Sequence, residues 1–217
     1  MYRCVAISVP GFLQQLAVSY VGNGYHFYVT GWIPEDKPPE AVDAKLIERY
    51  GIACSKWVNA RKQARGEAKV QYLRHGRFFV LVATVGTHPF FALEPQFADA
   101  RRQPITCFGY AVGCWQDEQG RSHPSVRLTE TELERVRSHL LRLAAHTAPE
   151  ELDAAIRGFR LALFVPVQRQ LARILREVNS ARQAASLEPL PFCTGRRRPV
   201  RPFGATGSRD RAFSTRP

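Results

Sequence analysis

Residues 72–91 read YLRHGRFFVLVATVGTHPFF, and the fold turns on whether they are a catalytic site or a hairpin. Two histidines, His75 and His88, stand there among arginines and aromatic rings. Residues 69–73 and 78–85 are rich in β-branched and aromatic types and flank Arg74-His75-Gly76-Arg77, a turn sequence containing glycine. The run FFVLVAT does not alternate apolar with polar, so it predicts a strand covered on both faces. His75 then sits in the turn and His88 past the far end of the returning strand. Roughly ten strand residues at about 3.3 Å each hold the two apart, too far to share a metal. The stretch is predicted to be a hairpin, with His75 in its basic rim.

Working outward, residues 12–33 predict a second hairpin about Asn23-Gly24, a dipeptide that tolerates the positive φ of a tight turn. PPEAVDAKLIERYG predicts a helix from Pro39, stopped by Gly51, with Val42, Leu46, Ile47 and Tyr50 on one face. SKWVNARKQARGEA is a short basic helix or loop. Downstream, ITCFGYAVGCW and SVRL predict two strands about DEQG. Thr129 and Glu132 have capping-box spacing at the start of a helix, and Thr147 with Glu150 starts another. A third helix opens at Pro166 with Leu171, Ile174, Leu175 and Val178 as its inward stripe. The predicted class is α+β: an antiparallel sheet of about six strands packed with helices. A core over 1–147, a helical annex over 148–187 and a disordered arginine-rich tail over 188–217 are expected, because the last segment has little to bury.

At 217 residues and 45% hydrophobic, the chain can bury one good core. No apolar run approaches the roughly 20 residues that span a bilayer, so no membrane partner is expected. MYRCVAISVPGF lacks the layout of a secretory leader, which favours a cytoplasmic location. The five cysteines are scattered without a C-x-x-C, the pattern of reduced, packed thiols and not of a disulfide framework or zinc knuckle.

The net charge of +12 is concentrated in two segments. Between 49 and 77, eight basic residues meet one acidic residue, Glu67, and between 188 and 217 seven arginines meet two acids. The remainder balances. Localised positive charge points to a polyanion. The first segment interleaves Lys56, Arg61, Lys62, Arg65, Arg74 and Arg77 with Trp57 and Tyr72, cations for phosphates and rings for unpaired bases. Those side chains, His75, and the tail's Arg196, Arg197, Arg198 and Arg201 are the candidate nucleic-acid-binding residues. Ordinary core packing is the competing reading for Trp57 and Tyr72. Arg169, Arg173 and Arg176 form a further basic stripe, of the kind any amphipathic surface helix shows.

Catalytic signatures are missing from the sequence. It has no phosphate loop ending in Lys-Ser or Lys-Thr, no G-x-S-x-G elbow, and VGNGYH is no dinucleotide fingerprint, so no cofactor is expected. Across 12–147, a basic antiparallel α+β chain is similar in architecture to the single-strand transposases and rolling-circle replication initiators. Those enzymes hold a metal with a histidine–hydrophobic–histidine triplet and attack with a tyrosine on a later helix. Here no two histidines lie two residues apart, and the last tyrosine is Tyr110. Glu35, Asp36, Glu40 and Asp43 are the densest acidic group, able to serve a nuclease metal or simply a helix dipole. The expectation is a binder of DNA or RNA in replication, mobile-element or RNA-processing machinery, with no catalytic residue assigned. The alternatives are a metal-dependent nicking enzyme and a module that docks on an acidic protein.

Overall fold

The computed structural model describes residues 2–54, 56–190 and 201–203. The hairpin that opened the sequence reading is present. β2 (Val70–His75) and β3 (Phe78–Ala83) pair antiparallel from Val70–Ala83 to His75–Phe78, about a turn in which Gly76 takes φ 59°. β3 is also the inner strand of a four-stranded sheet, order β2-β3-β1-β4, with β1 at Phe27–Trp32 and β4 at Ala98–Asp99. That position explains its unbroken apolar run. Val80 and Val82 face one core, while Leu81 and Ala83 face another.

The second predicted hairpin is corrected. Only its later arm is a strand; the earlier arm is helical. α1 (Val9–Gln14) runs on into a π-helical turn, Gln15–Tyr20, and a 3₁₀ turn, Val21–Asn23. Ser8 caps α1 by accepting from Gly11 N, and Pro10 sits in the first turn, where its missing N–H costs nothing. The buried residues Phe12, Leu13, Leu16, Ala17, Tyr20 and Val21 recur at helical spacing, which outweighs the β propensity of single residues. Gly24, with φ 89°, ends this helical segment and does not turn a hairpin.

A second sheet, order β5-β6-β7, is built from Ile105–Cys107, Tyr110–Gln116 and Ser122–Leu128. The predicted single strand over ITCFGYAVGCW is two strands, folded at Phe108-Gly109, both with positive φ. The main core lies between the two sheets with the N-terminal helical segment inside it. A separate core covers the other face of the first sheet with Leu46, Ile47 and Tyr50 around α2 (Pro39–Arg49) and Phe90 from α4 (Pro89–Leu93).

α5 (Glu130–Ala144) starts at the predicted cap, Thr129 accepting from Glu132 N. With α6 (Pro149–Gly158) and α7 (Val165–Ala184) it encloses a third core, which includes the whole predicted stripe Leu171, Ile174, Leu175 and Val178. α7 is also tied to the second sheet. Gln170 on α7 accepts from Leu128 N at 2.9 Å and donates to Leu128 O at 3.2 Å. Most of the expected tail lies outside the described residues, but residues 201–203 lie against the body. Ile7 N donates to Pro202 O, and Phe203 packs on the main core. At these three residues the chain has apolar surface to bury after all.

Candidate nucleic-acid interface

The basic segment 49–77 divides in two. Its helical half is α3 (Lys56–Ala64), and no described side chain of α3 enters any of the three cores. Trp57 is 81% exposed, which ends the core reading for that ring. Arg61 and Arg65 are exposed and Lys62 half-buried. Trp57, Arg61 and Arg65 follow at i, i+4 and i+8, one side of the helix over about 12 Å. Among the described residues the acidic neighbour in reach is Glu67, 3.9 Å from Arg65 at a loose surface contact. Lys62 Nζ lies 3.6 Å from Cys54 Sγ. Lys56 opens the helix, and its side chain lies outside the described ones.

The strand half is different. Tyr72 is fully buried, and Arg74 is 5% exposed. Both point to Asp43 of α2. Tyr72 donates its hydroxyl to Asp43 at 2.6 Å, and Arg74 donates Nε and Nη2 to the same carboxylate at 2.8 Å each. Arg74 Nη1 goes to Gly76 O at 2.7 Å, and exposed Glu40 lies 3.5 Å from Nη2. Burial, with the Asp43 bond next, pushes the Tyr72 hydroxyl far up; the bond to Asp43 raises Arg74 further. Cys4, at 3.9 Å from Asp43, is raised to about 11 by its burial. These groups form a buried polar cluster joining the amino terminus, α2 and β2. They cannot reach an external phosphate, and Arg74 and Tyr72 are corrected accordingly.

His75 donates from Nδ1 to Ala6 O (2.8 Å) and abuts the Phe108 ring, so it belongs to the turn's packing. Arg77 is half-buried, and its guanidinium donates to the carbonyls of Pro34, Glu35 and Lys37, stitching the turn to the loop before α2. Arg196, Arg197 and Arg198 lie outside the described residues, and Arg201 is exposed beside the packed Phe203.

A second concentration of rings and cations lies where the sequence reading marked only the stripe on α7. Trp115 and His123 are cross-strand partners on β6 and β7 and stack with ring centroids 4.4 Å apart at 20°. Trp115 remains 57% exposed. The same outward face carries Gly113 opposite Ser125, then Ala111 opposite Arg127. Between β7, α5 and the start of α7 opens a groove of about 660 Å³, lined by Trp115, His123, Arg127, Glu130, Arg169 and Arg173 among others. The three arginines are exposed and in no ion pair with a described residue. Strand parity was the available signal: with Tyr110, Val112 and Cys114 inward, Trp115 must point out.

No family model, curated protein or solved structure matches this chain. Its chemistry therefore has to be read from these side chains alone.

Among the described residues no three His, Cys, Asp or Glu side chains gather as metal ligands. The acidic group 35–43 is not assembled, since Asp43 is held by Arg74 and Tyr72. A cysteine–histidine pair does exist: Cys114 Sγ lies 3.7 Å from His26 Nε2, which also meets Ser122 Oγ at 3.0 Å. Burial lowers His26 and raises Cys114, so the pair sits as neutral imidazole and thiol, opposite to an activated nucleophile. His123 pairs with Asp117 at 2.9 Å, and Asp117 also accepts from Gln119 N and Arg121 N, closing the hairpin turn. Among the described residues, no helix is long and apolar enough to cross a membrane.

Proposed function

We propose that the protein is a cytoplasmic nucleic-acid-binding protein whose α3 face meets the phosphate backbone. One observation carries the reading: Trp57 stands 81% exposed on the same side as Arg61 and Arg65 of a helix that adds no described side chain to any core. A buried tryptophan would contribute about 2–3 kcal/mol of apolar burial, so a fold that forgoes this with the ring set among cations has a ring suited to stacking on a base. The cations supply sequence-independent attraction, each phosphate met on duplex DNA adding about 0.9 to the slope of log affinity against log salt. Replication, mobile-element and RNA-processing machinery are the settings such a binder suits.

The test is a mobility-shift assay of the full chain with labelled single-stranded and duplex DNA and RNA, with and without magnesium or manganese. A salt-sensitive shift with intact substrate is expected, lost on changing Arg61 and Arg65 together to glutamate. Cleavage products that need the metal would move the protein to the nicking enzymes. Normal binding by the double reversal would remove α3 from the interface.

A further inference from the structure

The groove between β7 and α7 has the composition of a ligand site and no role in the α3 reading. A stacked cross-strand aromatic pair stabilises a hairpin by itself. It does not call for three arginines alongside that have no ion pair among the described residues, and those arginines are the informative part. Arg169 and Arg173 are one turn apart on α7, about 6 Å along its axis, and straddle Gln170, whose amide is fixed on Leu128. Arg127 stands on the facing strand, next to that fixed point. The carboxylates that would neutralise this set are engaged elsewhere: Glu177, one turn beyond Arg173, takes Arg137 at 2.7 Å, and Glu132 takes Arg135 at 2.6 Å. Glu130 alone lines the groove on the acidic side. The surplus is positive, so an anion is the complementary occupant.

Shape narrows the anion. From His123 to Arg127 is four strand residues of β7, about 13 Å, with Pro124 and Ser125 lining the groove between them. A groove with an aromatic platform at one end and guanidinium groups at the other fits a ring joined to a phosphate chain. An acidic peptide offers charge but no ring for the Trp115 platform, and a duplex keeps its bases paired and stacked away from it.

The geometry points to this groove as a seat for a single-stranded nucleic-acid segment, with an unpaired base continuing the Trp115–His123 stack and its phosphates on Arg127, Arg169 and Arg173. The inference rests on the nucleic-acid reading and adds a second contact surface selective for unpaired strands. The experiment measures affinity of the full chain for a fluorescein-labelled 12-residue oligothymidine and for a 12-base-pair duplex, with thermal midpoint as the folding control. Trp115→Ala is expected to weaken single-strand binding at least about fivefold, to leave duplex affinity unchanged, and to lower the midpoint by no more than about 4 °C through the lost cross-strand stack. Arg169→Glu with Arg173→Glu is expected to weaken it further, and Arg61→Glu with Arg65→Glu to lower both substrates. Unchanged single-strand affinity in both groove variants, with wild-type binding intact, overturns the groove and spares the α3 reading. Wild-type protein that binds neither oligonucleotide overturns both. A polyglutamate peptide that competes at the oligonucleotide's own concentration, and does so less well against Arg169→Glu/Arg173→Glu, replaces the nucleotide with an acidic chain.

Discussion

Arg61 and Arg74 belong to one basic run in the sequence, thirteen positions apart, and the fold puts them to opposite use. Arg61 stands on α3 in solvent, without an ion pair among the described residues. Arg74 is enclosed against Asp43 with its donors spent inside the molecule. The difference comes from the period of the backbone that carries each. In β2, alternation brings Val70, Tyr72 and Arg74 onto the same buried side. On α3 no described side chain enters a core, and Arg61 stands outward. Local charge density alone thus overstates an interface; secondary structure decides which of the charges face a partner.

The largest effect that would break this contrast is on stability. Arg74→Ala leaves the buried Asp43 carboxylate with Tyr72 as its remaining close donor and is expected to cost about 3–5 kcal/mol. In urea melts Arg61→Ala should stay within about 0.5 kcal/mol of the parent. Equal losses would mean that α3 is part of the packed body. Trp57→Ala is expected next, lowering single-strand affinity by about 1–3 kcal/mol with an unmoved unfolding midpoint. A midpoint that falls with affinity would make the binding loss secondary to unfolding.

The carboxy-terminal segment repeats the contrast on a smaller scale. Phe203→Ala should lose about 1–2 kcal/mol, since the half-buried ring packs on the main core. Arg201→Ala, two residues away, should leave stability in place while following tail-dependent binding. The smallest effect is with acid. Burial lowers both His26 and His88 from the ordinary 6.5, so the unfolded chain takes up these protons first. Stability is expected to fall as pH drops below about 6.5, until the folded-state values are reached. Asp99, lowered by its bond to Arg101, adds a loss only below the usual carboxylate value of 3.8. α3 carries no histidine, so salt-dependent binding measured in the cold should change little from pH 7 to 6.

Much of the fold was legible because local and tertiary signals agreed. The 69–85 hairpin, the Thr129 cap and the Leu171–Val178 stripe each had a period and a punctuation mark pointing the same way. Residues 12–23 misled because aromatic and β-branched types, followed by Asn-Gly, outweighed a helical spacing that was present in the sequence. The site was half legible. The charge pattern matches exposure on α3, where Trp57 and Arg61 stand in solvent, and fails in β2, where Arg74 is enclosed by a partner, Asp43, 31 residues away on another element. Trp115, His123 and Arg127 have no local charge run to announce them; their signal is the alternation across DEQG, which buries Val126 and Leu128 and turns Arg127 out.

Gln170 has a bearing on how the molecule behaves in a crowd. β7 is the edge of its sheet, and an open edge invites another chain to add a strand. By offering both an acceptor and a donor to the Leu128 backbone, the Gln170 amide acts as a one-residue surrogate strand. Pro124, with no N–H to give, blunts the same strand near its other end. Between them, a side chain and an imino acid guard this edge against an added strand. The groove can therefore lie bare beside β7 without an open strand edge next to it.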